Sequence, residues 1–407
     1  MRRMIFLIAP LAGILLSAGE RGGRDLSSFT NRGGGAQAQQ CNGTDPAQVI
    51  PACTAIINSS TTAPARSTAY NNRGLAHVRQ NDPDDALEDF DHALELDPKN
   101  VRALVNRGNI RRQLDDYERA FADYEQALLI DPKDSGAYTA RGDANLRRDK
   151  PDVAIPDYDK AIELNPKNLA AFVNRGEANR VQGFLDKAIA DYEAALKIDS
   201  KFVTAYVDRG FAYTDGGEYD RGIADFDRAI SMVPNNPAYF NHRATAYELK
   251  GDHTRALADF DRAIKLDPQN PESFMSRGNI YERRGDFDRA ITDFDQVVML
   301  DSTYAEAFNN RGSAFAKKGD YDRAVADYTK AIQLRPSAES YSNRGLAYVK
   351  TGKYALAIRD LDEAVKRDPR DAVSLYNRGV AKQNSGDSTA GAFDIDKARQ
   401  IDPKVGN

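Results

Sequence analysis

The feature that most constrains the fold is a tripeptide that returns at a fixed interval along the chain. Asn-Arg-Gly, or a variant with one or two changes, occurs ten times in this register between residues 72 and 379. Its third residue is always small and is spaced by 34 residues, with one interval of 33. A period of this length is typical of one helical or sheet unit stacked on copies of itself. We assign position 8 of each repeat to this small residue, which is Gly74, Gly108, Gly142, Gly176, Gly210, Ala244, Gly278, Gly312, Gly345 and Gly379.

Four further positions follow the same period. Positions 20 and 27 are small in almost every repeat, position 24 is aromatic in eight repeats, and position 32 is Pro in eight. On this numbering ten repeats cover the chain from Ser67 to Val405. Their bounds are 67–100, 101–134, 135–168, 169–202, 203–236, 237–270, 271–304, 305–337, 338–371 and 372–405.

The spacing within one repeat predicts two helices joined by a turn. In repeat 2 we expect helix A over about 101–113 and helix B over about 118–130. Small residues at positions 8, 20 and 27 allow the two backbones to approach closely, and the Pro at position 32 ends helix B. One such pair cannot bury its apolar faces alone, whereas a stack of pairs can. The sequence therefore predicts an all-α solenoid.

The period and the small, aromatic and Pro positions resemble the tetratricopeptide repeat family. The resemblance implies a right-handed superhelix whose concave surface is lined by helix A positions 2, 5, 6, 9, 12 and 13. It also implies a protein or extended peptide as the partner. Two positions depart from the family pattern: position 4 carries Tyr, Phe or Leu instead of Trp, and position 7 is Arg in every repeat instead of Leu.

Arg at position 7 suggests either an anion-binding ladder or internal ion pairs. Position 23 is Asp in all ten repeats, and positions 7 and 23 lie opposite each other across an antiparallel helix pair. We therefore favour Arg–Asp pairing within or between repeats, which would penalise wrong stacking register more than it would stabilise the fold. The arginines are Arg73, Arg107, Arg141, Arg175, Arg209, Arg243, Arg277, Arg311, Arg344 and Arg378.

Position 6 is Asn in six repeats and is similar to the asparagine ladder of superhelical tetratricopeptide domains. An amide can donate and accept at once, which suits an extended peptide backbone. Internal hydrogen bonding explains the same residues equally well. Glutamates are frequent along the same surface in repeats 6–9. The predicted peptide-binding asparagines are Asn72, Asn106, Asn174, Asn310, Asn343 and Asn377.

The amino terminus is typical of a secretory signal. Arg2 and Arg3 precede an apolar run over 4–16, and small residues follow it. Residues 1–38 are assigned to this signal and a Gly-rich linker, with cleavage after residue 18 or 19, or after residue 38. The alternative is an uncleaved inner-membrane anchor over 4–16, which would be the protein's only contact with a membrane.

Residues 39–66 are expected to cap the first repeat. Asp45-Pro46 is a helix start, so we predict a lone helix over 46–58 that resembles a helix B. Cys41 and Cys53 flank that start and are the chain's two cysteines. In an oxidising compartment they would form a disulfide, and the alternative is two free thiols.

Composition and motifs exclude several functions. The net charge of −5 differs from the strongly positive charge that is typical of nucleic-acid-binding proteins. The four histidines are too dispersed for a four-ligand Cys/His zinc site. No phosphate loop or hydrolase motif occurs, so we expect no enzyme, cofactor, metal or small-molecule substrate.

The predicted function is a non-enzymatic scaffold in the periplasm of a Gram-negative bacterium, binding a protein or peptide. The alternative is a structural envelope component that self-assembles through the solenoid ends.

Overall fold

The computed structural model of the protein describes residues 34–59 and 62–406. These residues form 22 helices, and no strand occurs among them. They divide into an N-terminal segment, 34–232, with the cap and repeats 1–5, and a C-terminal segment, 233–406, with repeats 6–10. In the N-terminal segment the helices are α1 Gly34–Cys41, α2 Pro46–Asn58, α3 Ala63–Arg79, α4 Pro83–Leu96, α5 Val101–Gln113, α6 Tyr117–Ile130, α7 Ser135–Arg147, α8 Pro151–Leu164, α9 Leu169–Val181, α10 Leu185–Ile198, α11 Val203–Asp215 and α12 Tyr219–Met232. In the C-terminal segment they are α13 Pro237–Lys250, α14 His253–Leu266, α15 Pro271–Arg283, α16 Phe287–Leu300, α17 Ala305–Lys317, α18 Tyr321–Leu334, α19 Ala338–Lys350, α20 Tyr354–Arg367, α21 Ala372–Asn384 and α22 Ser388–Ile401.

The helix boundaries follow from capping residues and turns. In repeat 2, helix A spans the predicted residues, while helix B begins one residue earlier than predicted because Asp116 accepts a hydrogen bond from the Arg119 N–H and acts as the N-cap. Position 15 has a positive φ in all ten repeats. It is Gly in seven of them, and in the first three it is Asn81, Asp115 and Asp149. This left-handed residue reverses the chain between helix A and helix B.

Close helix approach explains why position 8 is small and position 24 is large. A Cβ atom added at Gly108 would lie 2.6 Å from Cε1 of Tyr124, which is fully buried. Ala120 and Ala127, at positions 20 and 27, are also fully buried. Each helix A packs on its own helix B and, within each segment, on helix B of the preceding repeat. The core is therefore a series of similar layers, as predicted for an all-α solenoid.

The N-terminal cap contains more structure than we predicted. Helix α2 has the predicted bounds, with Asp45 as its N-cap, and buries Val49 against the core. Residues 34–38, which the sequence assigns to the Gly-rich linker, instead begin helix α1 and bury Ala38 in the same cluster. Low hydrophobicity concealed this helix, since its burial depends on contacts with α2. The signal and anchor predictions for residues 1–33 lie outside the described residues.

The last repeat carries two cations where other repeats are mostly apolar or aromatic. Arg399 at position 28 is exposed, as a terminal repeat allows. Lys382 at position 11 does not face water and donates a hydrogen bond of 2.8 Å from Nζ to the buried Asp394. Position 11 lies against position 23, so a cation at position 11 pairs with the Asp at position 23.

Within the described residues, no helix has both the length and the apolar character needed to cross a bilayer.

Candidate functional site

The ten position-7 arginines all pair with the position-23 aspartate of their own repeat. In repeat 2, Nε of Arg107 donates to Oδ2 of Asp123 at 3.1 Å, and Nη2 donates to Oδ1 at 2.6 Å. The aspartate is 3% exposed. Equivalent two-point contacts occur in every repeat, and their acceptors are Asp89, Asp123, Asp157, Asp191, Asp225, Asp259, Asp293, Asp327, Asp360 and Asp394.

The same arginines also join consecutive repeats. Nη1 of Arg107 donates to Oδ1 of Asp91 at 2.6 Å, and Asp91 is position 25 of the preceding repeat. Arg175, Arg277, Arg311 and Arg378 make the same contact. In eight repeats the guanidinium also lies over the position-4 ring, as Arg311 does over Phe308 at 5.4 Å. These contacts favour internal pairing over the anion-binding ladder, because the guanidinium N–H groups already donate hydrogen bonds to aspartates of the protein.

Most of the position-6 asparagines donate one hydrogen bond to a neighbouring layer. Nδ2 of Asn106 donates to Asn71 at 2.9 Å, and Nδ2 of Asn310 donates to Asn279 at 2.9 Å. Asn72, Asn174 and Asn343 donate in the same way, to Asn42, Asp143 and Asn309 respectively. Internal hydrogen bonding therefore accounts for part of the ladder.

The internal contacts leave unequal capacity for a ligand. Asn174 is only 4% exposed, so it is poorly placed to meet a partner. Asn310 and Asn343 are half-buried and each keep one N–H and the Oδ1 acceptor. Asn377 is half-buried too, and its amide has no hydrogen-bond partner among the described residues. Among the described residues, the position-6 amides of the C-terminal segment therefore keep more unused hydrogen-bonding groups than those of the N-terminal segment.

A polar cluster between neighbouring helices A was not predicted from sequence. Asp143 on α7 accepts hydrogen bonds from the Tyr158 hydroxyl at 2.9 Å and from Asn174 Nδ2 at 2.6 Å. Burial raises the pKa of Asp143 above its ordinary value, against the opposing effects of nearby Arg112 and these two donors. The hydrogen bonds make this carboxyl group part of the layer packing.

The cluster continues along α9 and α11. Arg180 donates to Glu177 twice at 2.8 Å and to Asp215 at 2.6 Å. Burial, together with the charge of Glu177, raises the pKa of Asp208 to about 8, although Arg180 opposes this effect. The buried Tyr192 hydroxyl has no hydrogen-bond partner among the described residues. A carboxyl group that stays protonated near neutral pH can donate a hydrogen bond as well as accept one. In the sequence, this group is visible only as Asp208, which replaces Asn at position 6 of repeat 5.

Models of the tetratricopeptide repeat match most of the chain. One model described as "Tetratricopeptide repeat" matches residues 71–137, 139–201 and 207–271. Two others with that description match 305–337 with 338–371, and 260–292. A model described as "TPR repeat" matches 278–319. The matches at 305–337 and 338–371 coincide with repeats 8 and 9, including the repeat that is one residue short.

Several solved structures are similar to parts of the chain. YrrB, titled a TPR protein with an unusual peptide-binding site, is 28% identical over 44% of this chain and 92% of its own, with a TM-score of 0.36. A tetratricopeptide repeat protein from Parabacteroides merdae is 20% identical over 61% of this chain and 98% of its own, with a TM-score of 0.47. PilW, titled a type IV pilus biogenesis factor, is 21% identical over 50% of this chain and 94% of its own, with a TM-score of 0.48.

Curated protein sequences give no match to the chain. The family models nevertheless cover more than half of it, and the matches at 305–337 and 338–371 each enclose one helix pair of the structure. Members of this family are generally non-enzymatic scaffolds for protein–protein interaction. The chain belongs to the tetratricopeptide repeat family.

Proposed function

We propose that the protein is a non-enzymatic scaffold that binds an extended peptide segment of a partner along the helix A face of repeats 8–10. The observation that carries this proposal is the unused capacity of Asn310, Asn343 and Asn377, spaced one repeat apart. Asn310 and Asn343 each have one N–H and the Oδ1 atom unused, and the whole side-chain amide of Asn377 is unused. A peptide backbone offers donors and acceptors in alternation, so one amide can hold both.

The charge on the same helices indicates the chemistry of the partner. Glu272, Glu306 and Glu339 occupy position 2 of helix A in repeats 7–9, one turn before position 6, and all three are exposed. Glu272 accepts a hydrogen bond from the Tyr304 hydroxyl at 2.9 Å, which fixes its orientation. A peptide that carries Lys or Arg beside its bound backbone would meet these carboxylates, and its affinity would fall as salt screens them.

The test replaces Asn310, Asn343 and Asn377 together with Ala and measures binding to a partner captured from the native envelope fraction. We expect affinity to fall by at least tenfold while circular dichroism stays helical, because three amide contacts are lost. A matched control replaces Gln296 and Gln333, which lie on helices B of repeats 7 and 8, and should bind like the unmodified protein. Equal affinity of the Asn triple variant and the control would refute the proposal that these three asparagines bind the peptide.

Self-assembly through the solenoid ends is the second candidate function. Phe393 is 70% exposed on the last helix, and Val373 and Ile401 are 50% and 40% exposed near it. Exposed apolar side chains on the last repeat would contribute to contact with another copy if they form one patch. Light scattering over a range of protein concentrations separates the two functions, because a peptide-binding scaffold should remain monomeric.

We also propose that the protein works in the periplasm of a Gram-negative bacterium. The support is the Cys41–Cys53 disulfide, with Cα atoms 4.9 Å apart, because such bonds persist in oxidising compartments. Fractionation of the native cells tests this location, and recovery of the protein with cytosolic markers would contradict it.

A further inference from the structure

Position 19, in the first turn of helix B, is Lys or Arg in six of the ten repeats, and repeat 1 is one of the four that lack this cation. In repeat 5, Arg221 at position 19 lies 4.0 Å from the ring centre of Tyr213 at position 11, and pairs with Glu218 at position 16 at 2.7 Å. Arg255, Arg289 and Arg323 stack on position 11 and pair with position 16 in the same way. A positive charge therefore occupies the space between these positions in repeats 5–8.

Repeat 1 keeps the acid of this arrangement and lacks its cation. Position 16 is Asp82, but position 19 is Asp85 in place of Arg, and position 11 is His77 in place of the aromatic ring. Two carboxylates and an imidazole thus replace a carboxylate, a guanidinium and a ring. Their ligand atoms all lie within 4.8 Å of one another. Among the described residues, no Lys or Arg makes an ion pair with Asp82 or Asp85.

His77 lies between two carboxylates, one near each nitrogen of its imidazole ring. Its Nδ1 atom is buried, has no hydrogen-bond partner, and lies 3.8 Å from Oδ2 of Asp85. Its other nitrogen, Nε2, lies 3.8 Å from Oδ2 of Asp89, which Arg73 fixes by two hydrogen bonds. The Asp89 carboxylate lies on the far side of the imidazole, where carboxylates commonly orient metal-ligating histidines, but 3.8 Å is too long for a direct hydrogen bond.

Acidic residues at a helix start are common and do not indicate a site by themselves. Asp82 caps α4 by accepting from the Asp85 N–H at 3.3 Å, and acids in this first turn favour the helix dipole. The helix dipole does not explain a buried imidazole nitrogen that has no hydrogen-bond partner. It also does not explain why this repeat alone combines His at position 11 with Asp at position 19.

We propose that His77, Asp82 and Asp85 bind one divalent metal ion of the zinc type, which takes the place that a guanidinium fills in repeats 5–8. One imidazole nitrogen and two carboxylate oxygens suit Zn²⁺, and water would complete its coordination. Metal at this turn would link α3 to α4 beside the N-terminal cap. The site escaped the sequence analysis because that search required four Cys or His ligands at local spacing.

The test titrates the full untagged protein with zinc chloride by calorimetry at neutral pH. We expect one equivalent of Zn²⁺ to bind, and binding to weaken at least tenfold in Asp85→Asn and in His77→Gln. Hydrogen exchange of α3 and α4 should slow when Zn²⁺ is added to the unmodified protein and should stay unchanged in these variants. The matched control is His253→Gln, which removes another half-buried imidazole from the first turn of a helix B and should bind Zn²⁺ normally.

A second variant converts repeat 1 to the pattern of repeats 5–8. His77→Tyr combined with Asp85→Arg places a ring and a guanidinium beside Asp82, so the protein should fold normally, lose the zinc site and no longer respond to chelators. The proposal is overturned if the unmodified protein binds no zinc, or if Asp85→Asn binds it as tightly as the His253→Gln control does.

Discussion

Replacing Asp123 with Ala tests whether the position-23 aspartates are needed to hold the repeats together. Asp123 is 3% exposed and accepts three hydrogen bonds from two arginines, Arg107 and Arg111. The side chains of these arginines are 18% and 16% exposed, so both charges stay partly buried when the carboxylate is removed. Breaking a buried ion pair by removing one partner costs about 3–5 kcal/mol.

The expected loss lies near the middle of this range, at about 4 kcal/mol. A second arginine raises the cost, while the remaining contact of Arg107 with Asp91 lowers it. The assay is native-state hydrogen exchange, since it reports the opening of α5 and α6 separately from the rest of a solenoid. Amides of these helices should exchange about 10³-fold faster, because each 1.4 kcal/mol corresponds to a factor of ten.

Two comparisons make the result decisive. Asp225 pairs with Arg209 alone, so Asp225→Ala should destabilise α11 and α12 by less, about 3 kcal/mol. Glu125 is exposed on the same helix as Asp123, and Glu125→Ala should change exchange by less than about threefold. If Asp123→Ala exchanged no faster than Glu125→Ala, the arginines would have found water or other partners. The arginine charges would then not stay buried when the carboxylate is removed.

Three further predictions concern pH, redox state and packing. Because the pKa of Asp208 is raised to about 8 in the folded protein and is about 3.9 in the unfolded chain, its stabilising contribution is complete below pH 4 and is lost as pH rises to 8. Asp208→Asn should therefore be more stable than the unmodified protein at pH 8 and close to it at pH 4 in urea unfolding. Mass spectrometry after alkylation without reductant should find no alkyl group on Cys41 or Cys53, and reduction should destabilise the cap by about 3 kcal/mol; two alkyl groups would disprove the disulfide. Gly108→Ala should cost about 1–3 kcal/mol in thermal unfolding, because the new methyl group would overlap Tyr124, and an unchanged midpoint would contradict this.

Repetition made the fold predictable from a single sequence, because ten copies reveal which positions must be small, aromatic or paired. The bounds of α5 and α2 follow from such signals, and the repeat boundaries are set by the same residues that turn the chain. Helix α1 was missed because it has no copy elsewhere and its burial depends on tertiary contact.

The candidate site was less predictable, because it depends on departures from the repeat. The asparagine row could be identified, but not which amides keep free hydrogen-bonding groups, since Asn174 and Asn310 differ only in their neighbours. The raised pKa of Asp208 likewise comes from burial between layers, which no single repeat encodes.

The arginine contact that joins consecutive repeats has a consequence for how this chain could change its length. Arg277 meets Asp261 of repeat 6, and Arg311 meets Asp295 of repeat 7, through the same atoms. If repeat 7 were lost as a whole, Arg311 would find in Asp261 an acceptor of the same kind at the same place. Gain or loss of a complete copy by recombination would therefore create a junction that already fits. Insertions of any other size would break it, so such genes can be expected to vary in whole copies.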